Sequence, residues 1–290
     1  MLSRASILFF LWTMPAGNLV LAQSNAYYPD FLSVYFYNMA TVNPGYIPSE
    51  GRADFAGGYK FRTGAFKDIS SFSFSGAKIF RKDLGPAQAL RAILYNEQQG
   101  PYINMPRGYL NYAISLPITE DTRIFSGACL GMAGIYFSAP SATTSILLPD
   151  GAVGLGLAHR NTSAGVSAFQ VFNQEVTPLL ATLRLARYYQ FYVNSEKELG
   201  LDWKLKGYVL WRLLPGVPDE VSLGGALVYR EGISVGAVYR YPFGTSFFGT
   251  FEVDSGKDKL WLSFCLNTAA FSPSLRLQNS MELSLAFQVR

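Results

Sequence analysis

The closing segment of the chain alternates without a fault. Met281, Leu283, Leu285, Phe287 and Val289 are apolar, and Glu282, Ser284, Ala286 and Gln288 between them are small or polar. Successive side chains of an extended strand point to opposite faces, so this segment has one apolar and one polar face. The pattern recurs upstream. Leu260, Leu262, Phe264 and Leu266 oppose Ser263, Cys265 and Asn267, and Leu201, Trp203, Leu205, Val209 and Trp211 oppose Asp202, Lys204, Lys206 and Arg212. Strand-like runs also lie near 52–62, 69–81, 108–118, 122–137, 151–159, 163–172, 181–193, 221–230, 233–240 and 243–253. Such a chain is all-β, and either a two-sheet sandwich or a barrel would use the pattern.

Several features favour a transmembrane antiparallel β-barrel. The runs are about ten residues or longer, the length of a tilted membrane crossing. Large apolar and aromatic residues fall on one face and small or charged ones on the other, as lipid-out and lumen-in require. Charged residues make up only 15% of the chain and aromatics another 15%, a low-charge, aromatic-rich balance relative to the ~25% charge of soluble domains. Glycines sit inside the runs, at Gly127, Gly131, Gly134, Gly154, Gly156, Gly224, Gly225 and Gly236, where they let a wall curve and pack. After residue 22 no stretch approaches the ~20 apolar residues of a membrane helix.

Connection lengths point the same way. Short turns are expected at Glu120-Asp121, Arg160–Thr162, Asn194–Glu198, Glu231-Gly232 and Asp254–Asp258. Longer loops are expected at 96–107, 138–150, 173–180, 213–218 and 269–279. Short and long largely take turns, as in bacterial barrels with short periplasmic turns. Tyr241-Pro242 is tight where a longer loop is expected. Residues 86–95 fit either a short helix, with Ala87, Leu90 and Leu94 on one face, or a strand. Taken as a strand they bring the count to about 14, an even number with both ends on the short-turn side.

Before the wall, Arg4 and the apolar run from Ile7 to Trp12, followed by Val20-Leu21-Ala22, read as a secretory signal peptide over 1–22, cleaved near Ala22. Residues 23–51 read as a periplasmic lead segment, with the lumen as a second resting place, and 52–290 as an outer-membrane barrel. The net charge of +4 is small and unclustered, which gives no reason to expect a nucleic-acid partner. Cys129 and Cys265 match neither a disulfide framework nor a metal spacing and read as small apolar strand residues.

Little in the chain points to catalysis, a cofactor or a metal. His159 is the only histidine; a barrel hydrolase would need it beside a serine and an acid or amide, and no nucleophile motif lies near it. Lys204, Lys206, Arg212 and Asp202 read either as a charge filter for a solute channel or as lumen residues paired with neighbours. Arg184 and Arg187 fit the second reading, although Arg187 falls on the otherwise apolar face of its run.

A series of motifs resembles the PorP/SprF family, outer-membrane proteins of the type IX secretion system of Bacteroidetes. Tyr37-Asn38-Met39-Ala40-Thr41-Val42-Asn43-Pro44-Gly45-Tyr46 resembles the family's N-terminal Asn-Pro signature. Tyr59-Lys60-Phe61-Arg62 is similar to the end of its first strand, although Thr63-Gly64 stand where the family has Gln-Trp. Tyr95-Asn96-Glu97-Gln98-Gln99-Gly100-Pro101 resembles a family turn and Tyr109-Leu110-Asn111-Tyr112-Ala113-Ile114 the strand after it. Pro149-Asp150-Gly151, Gly154-Leu155-Gly156 and Ala164–Ser167 are similar to the next hairpin, and Met281-Glu282-Leu283 to the closing strand, which here ends in Arg290 and not in an aromatic residue. The resemblance implies a non-enzymatic role: assisting the secretion or surface attachment of cargo with C-terminal export signals, gliding adhesins among them, with translocon subunits and a periplasmic lipoprotein as partners. It makes Asn38, Asn43, Pro44, Gly45, Arg62, Asn96, Gly100, Pro101, Asn111 and Tyr112 the residues to locate, as structural positions or partner contacts. A channel or porin for small solutes is the alternative. A lipid hydrolase using His159 and a secreted β-sandwich are further readings.

Overall fold

The computed structural model describes residues 25–289, apart from 31, 82–84, 140–141, 178–181, 231, 257 and 269–278. The expected signal peptide, its cleavage near Ala22, all but the last residue of the expected loop at 269–279, and Arg290 lie outside the described residues.

Fourteen strands form the wall: β1 (Ala53–Arg62), β2 (Ile69–Arg81), β3 (Ala87–Gln99), β4 (Ile103–Pro117), β5 (Thr122–Ala139), β6 (Ala142–His159), β7 (Thr162–Phe169), β8 (Tyr188–Glu198), β9 (Trp203–Leu213), β10 (Glu220–Tyr229), β11 (Ile233–Tyr241), β12 (Gly244–Asp254), β13 (Asp258–Thr268) and β14 (Ser280–Val289). Each pairs antiparallel with the next, and β14 pairs with β1 to close the barrel. Closure leaves no unpaired edge, which a sheet surrounded by lipid requires. Of residues 86–95, all from Ala87 onward are strand, as the count demands: β3 pairs along its whole length with β2.

The side-chain pattern is inverted relative to a soluble protein. Leu110 is 69% exposed and Leu130 66% exposed, whereas Ser75 is 2% and Arg91 1% exposed. The large apolar residues therefore face outward, where lipid and not water is the natural neighbour. Aromatic pairs mark the two rims of this band. Trp203 and Tyr229 lie 4.9 Å apart, ring centre to ring centre, near one end, and Phe191 and Trp211 5.5 Å apart near the other, where amphipathic rings match the membrane interface.

The barrel has a turn end and a long-loop end. At the turn end lie the connections around 118–121, 160–161 and 199–202, together with Ala53 and Val289. At the other end the connection from β7 to β8 spans 170–187, and Leu183–Leu185 within it pairs with Glu175–Val176. The expected strand at 181–193 is thus split: Leu183–Leu185 leaves the wall and only Tyr188 onward joins it. Two expected long loops are mostly strand. β3 and β4 leave only 100–102 between them, and β5 and β6 run paired from Thr122↔His159 to Ala139↔Ala142. The run Thr143-Thr144-Ser145-Ile146-Leu147 is rich in β-branched residues that extend a pleated sheet.

Candidate functional site: the filled lumen

Residues 25–50 do not stay outside the wall. They run through the barrel from the long-loop mouth, where Ala26–Tyr27 pairs parallel with Arg184-Leu185, to the turn mouth, where the Glu50 carbonyl accepts from Gln288 Nε2 at 2.6 Å. Two short 3-10 turns, Tyr35–Tyr37 and Met39–Thr41, compact this plug. Val34, Tyr35, Met39 and Val42 pack with the wall residues Phe125, Tyr192, Tyr208, Leu210 and Phe248 in one buried apolar cluster. Phe36 stacks on Tyr208, ring centres 3.9 Å apart. The lumen thus has a hydrophobic core of its own, built from alternate residues of the strands and a segment that is not a strand.

Shape fixes the lower half of the plug. Asn43-Pro44-Gly45 rests on Gly127 of β5, Gly154 of β6 and Gly165 of β7. A Cβ added at Gly127 would meet the Pro44 carbonyl oxygen at 2.5 Å, and one at Gly154 would meet Asn43 Oδ1 at 2.1 Å. No other residue fits beneath the loop without displacing it, so these glycines serve close backbone approach. Asn43 is fully buried; its Nδ2 donates to the carbonyls of Leu155 (3.0 Å) and Val166 (3.3 Å), and its Oδ1 accepts from Gly45 N (2.8 Å). Asn111 Nδ2 donates to the Pro44 carbonyl at 2.9 Å, Ser167 Oγ to that of Val42 at 2.6 Å, and Arg91 to that of Tyr46 at 3.3 Å. Arg91 also pairs with Asp54 at 3.0 Å.

Charge fixes the upper half. Lys60 on β1 and Glu282 on β14 are register partners across the closing seam. Lys60 Nζ reaches Asp30 at 2.8 Å and Glu282 at 3.6 Å, and Glu282 accepts from Ser33 N (2.7 Å) and Ser33 Oγ (2.9 Å). Tyr27 donates its hydroxyl to Glu97, and the Arg107 guanidinium lies 4.9 Å over the Tyr27 ring. Arg107 and Tyr109 both reach Asp150. Arg212, paired with Glu220, donates to the Pro29 carbonyl at 3.0 Å. Burial raises the Asp30 carboxyl, but the nearby Lys60, Arg240 and Arg62 charges outweigh it and hold the group below its ordinary range.

Cavities flank the plug at both ends. One of about 630 Å³ lies toward the turn mouth, lined among others by Arg81, Arg123, Lys204, Lys206, Lys259 and Trp261. One of about 200 Å³ lies at the long-loop mouth beside Tyr28 and Asp30.

A family model for the type IX secretion system membrane protein PorP/SprF matches residues 24–287, covering plug and barrel together. The chain belongs to the PorP/SprF family. No curated protein sequence matches it. Among solved structures, a Pseudomonas aeruginosa FadL homologue is similar with TM-score 0.52 at 8% identity, over 82% of this chain and 89% of that one. The Pseudomonas putida toluene transporter TodX gives TM-score 0.53 at 10% identity over 92% and 95% of the two chains. At such identities the likeness is one of fold.

The PorP/SprF motif residues divide by location. Asn38, Asn43, Pro44, Gly45 and Asn111 meet at the boundary between plug and wall; Asn38 Oδ1 accepts from Ser75 Oγ at 3.0 Å. Arg62 stands at the upper mouth, 3.8 Å from Asp30. Asn96, Gly100 and Pro101 belong to the end of β3 and its turn, where Gly100 has φ +77°. Tyr112 faces outward and donates to Gln88 at 3.1 Å. The charged set Lys204, Lys206, Arg212 and Asp202 does not form a ring. Lys204 and Lys206 share Glu196, Arg212 takes Glu220, and Asp202 lies outside the lumen, in the turn before β9, paired with exposed Arg230 at 3.0 Å. Arg187 precedes β8 and donates to the Val171 carbonyl, which accounts for a cation on an outward position. His159 ends β6, exposed, 2.9 Å from the Thr122 hydroxyl. Lys60, Glu97 and Asp150 fall inside the quoted motifs but were not singled out as site residues, and Asp30 and Arg107 were not named at all. The signal was available in the wall members: each is a charged residue on the inward parity of its strand.

Proposed function

We propose that this PorP/SprF protein is an outer-membrane subunit of the type IX secretion system that assists the export or surface attachment of cargo with C-terminal export signals, gliding adhesins among them. Its partners in this reading are translocon subunits, a periplasmic lipoprotein and the cargo, and it carries no catalytic chemistry of its own. The observation that carries the reading is a family match spanning plug and barrel. The filled lumen favours it over a channel for small solutes, since the central path is occupied by packed aromatic side chains. With short turns in the periplasm, the signal peptide over 1–22 delivers the chain across the inner membrane, the 630 Å³ cavity opens to the periplasm and the long-loop mouth to the cell surface.

Deleting the gene tests this directly. Export of a C-terminally tagged cargo stops and returns on complementation; normal export in the deletion strain refutes the proposal. Purification in mild detergent with mass spectrometry of companions identifies translocon subunits or cargo. In planar bilayers the intact protein is electrically silent, and stable conductance would instead support the channel.

A further inference from the structure

The 200 Å³ cavity at the long-loop mouth lies between the plug and the ends of β1, β10, β11, β12, β13 and β14. Its charges are unevenly matched. Lys60 has Asp30 at 2.8 Å and Glu282 at 3.6 Å. Arg62 has only a shared contact with Asp30 at 3.8 Å, and its guanidinium makes no hydrogen bond among the described residues. Arg240 has no carboxylate within 4.0 Å among the described residues; one of its nitrogens donates to Ser33 Oγ at 2.9 Å, and its guanidinium lies 5.4 Å over the Phe243 ring. Glu220, which also lines the cavity, is taken by Arg212. The cations Lys60, Arg62, Arg212 and Arg240 thus face the carboxylates Asp30, Glu220 and Glu282 among the described residues, leaving one positive charge over. Guanidinium forks are built to take a carboxylate through paired hydrogen bonds, and here most of the donors of Arg62 and Arg240 make no hydrogen bond among the described residues.

The rest of the cavity suits the same ligand. Ser246 and Ser280 are buried beside it. Ser280 Oγ accepts from Asn267 at 2.9 Å, so its own proton is free to donate among the described residues. Phe243 and Tyr28 supply flat apolar walls. A single surplus charge matches a monoanion better than a phosphate dianion, and an aromatic wall suits the carbon chain behind a carboxylate.

We infer that this cavity binds the carboxylate of an extended acidic peptide segment reaching the long-loop mouth, with Arg62 and Arg240 as its two anchors. Asp30 of the plug then occupies part of the position that the incoming carboxylate takes, so binding draws Arg62 from Asp30. The inference rests on the secretion reading only for the identity of the peptide, not for its chemistry.

The test is isothermal titration of the purified full-length protein, in detergent, with a peptide blocked at both ends and carrying a single glutamate. Saturable binding is expected, and the same peptide with glutamine in its place should not bind. Arg62→Gln and Arg240→Gln should each weaken binding at least about tenfold, whereas Lys259→Gln in the other cavity leaves it unchanged. Arg240→Lys, which keeps the charge, guards against loss of fold and should restore part of the affinity. No saturable binding, or binding equal in all variants, overturns the inference. So does inorganic phosphate binding as tightly as the peptide, which would make the site one for a free anion. A failure here leaves the export phenotype of the deletion strain untouched, so the two readings fail separately.

Discussion

Replacing Asn43 by alanine should loosen the plug without dismantling the wall. Asn43 makes one accepted and two donated hydrogen bonds from a fully buried position. Removing its Oδ1 leaves the Gly45 N–H unpaired, a cost of about 1–3 kcal/mol, and each lost donated bond adds about 0.5–1.5 kcal/mol. The strand carbonyls of Leu155 and Val166 keep a second lone pair for the sheet, so the sum falls near the lower half of that range, about 2–4 kcal/mol. At about 1.4 kcal/mol per tenfold, the open fraction of the plug rises about 30- to 700-fold. The protein carries its own reporters. Cys129 and Cys265 are its only cysteines, both free, buried and facing the lumen. Cys265 belongs to the apolar cluster that the plug completes, and Cys129 is the register partner of Asn111. Their reaction with a bulky maleimide follows the population of the undocked plug when closing outpaces labelling. Asn43→Ala should therefore label far faster than the parent at both thiols, with the barrel still resistant to denaturation in cold detergent. Labelling of Asn43→Ala at the parent rate would refute the claim that this side chain holds the plug.

Three further outcomes follow from the same contacts. Gly127→Ala places a methyl group 2.5 Å from the Pro44 carbonyl oxygen; overpacking of about 1–3 kcal/mol should speed Cys265 labelling, while Gly207→Ala, whose nearest neighbour is at 4.0 Å, should not. Because Asp30 is held below the ordinary carboxylate range, its contribution to docking is fully present above about pH 4 and is lost as pH falls through the lowered native value. The difference in Cys265 accessibility between the parent and Asp30→Asn should persist from neutral pH down to about 4 and vanish below it, measured with dithiodipyridine, which reacts in acid; a difference that vanishes near pH 6 would contradict the assignment. Arg91→Met removes the buried half of a pair whose partner Asp54 is partly exposed, so the loss should be about 2–3 kcal/mol, short of the ~3–5 kcal/mol of a fully buried pair, and read as a lower temperature for the mobility shift of the folded barrel on gels.

The wall was readable because its rule is local. Period-two alternation needs only neighbouring residues, and it placed the closing strand, β13 and the outward Leu260, Leu262, Phe264 and Leu266 correctly. Parity settled 86–95, where local pattern alone left helix and strand level. Loop boundaries were less legible: residues 138–150 look like a loop because Pro140 lacks a backbone donor and Ser141 and the threonines are polar, yet pairing of β5 with β6 carries both strands beyond the band. Residues 23–51 have no period, since a plug is shaped by the cavity it fills and not by repeating geometry. The Asn43-Pro44-Gly45 turn and the strand glycines were each visible, but that they face one another is a long-range fact, set by register between β5, β6 and β7. The separation of Asp202 from Lys204 and Lys206 has the same origin: where a strand begins decides which charges share the lumen.

The seam between β1 and β14 bears on how the barrel comes to exist. Its partners, Lys60 and Glu282, lie at opposite ends of the wall sequence, and bringing such distant segments together is the slowest and entropically costliest pairing in the fold. The plug touches both: Asp30 holds Lys60, Ser33 holds Glu282, and the Glu50 carbonyl holds Gln288. A plug already seated on the first strand would offer the last strand ready-made contacts, so the segment that fills the finished lumen would also serve as a template for its closure. Chains lacking residues 25–50 would then assemble slowly, accumulate as open sheets and be degraded, a defect in biogenesis and not in transport.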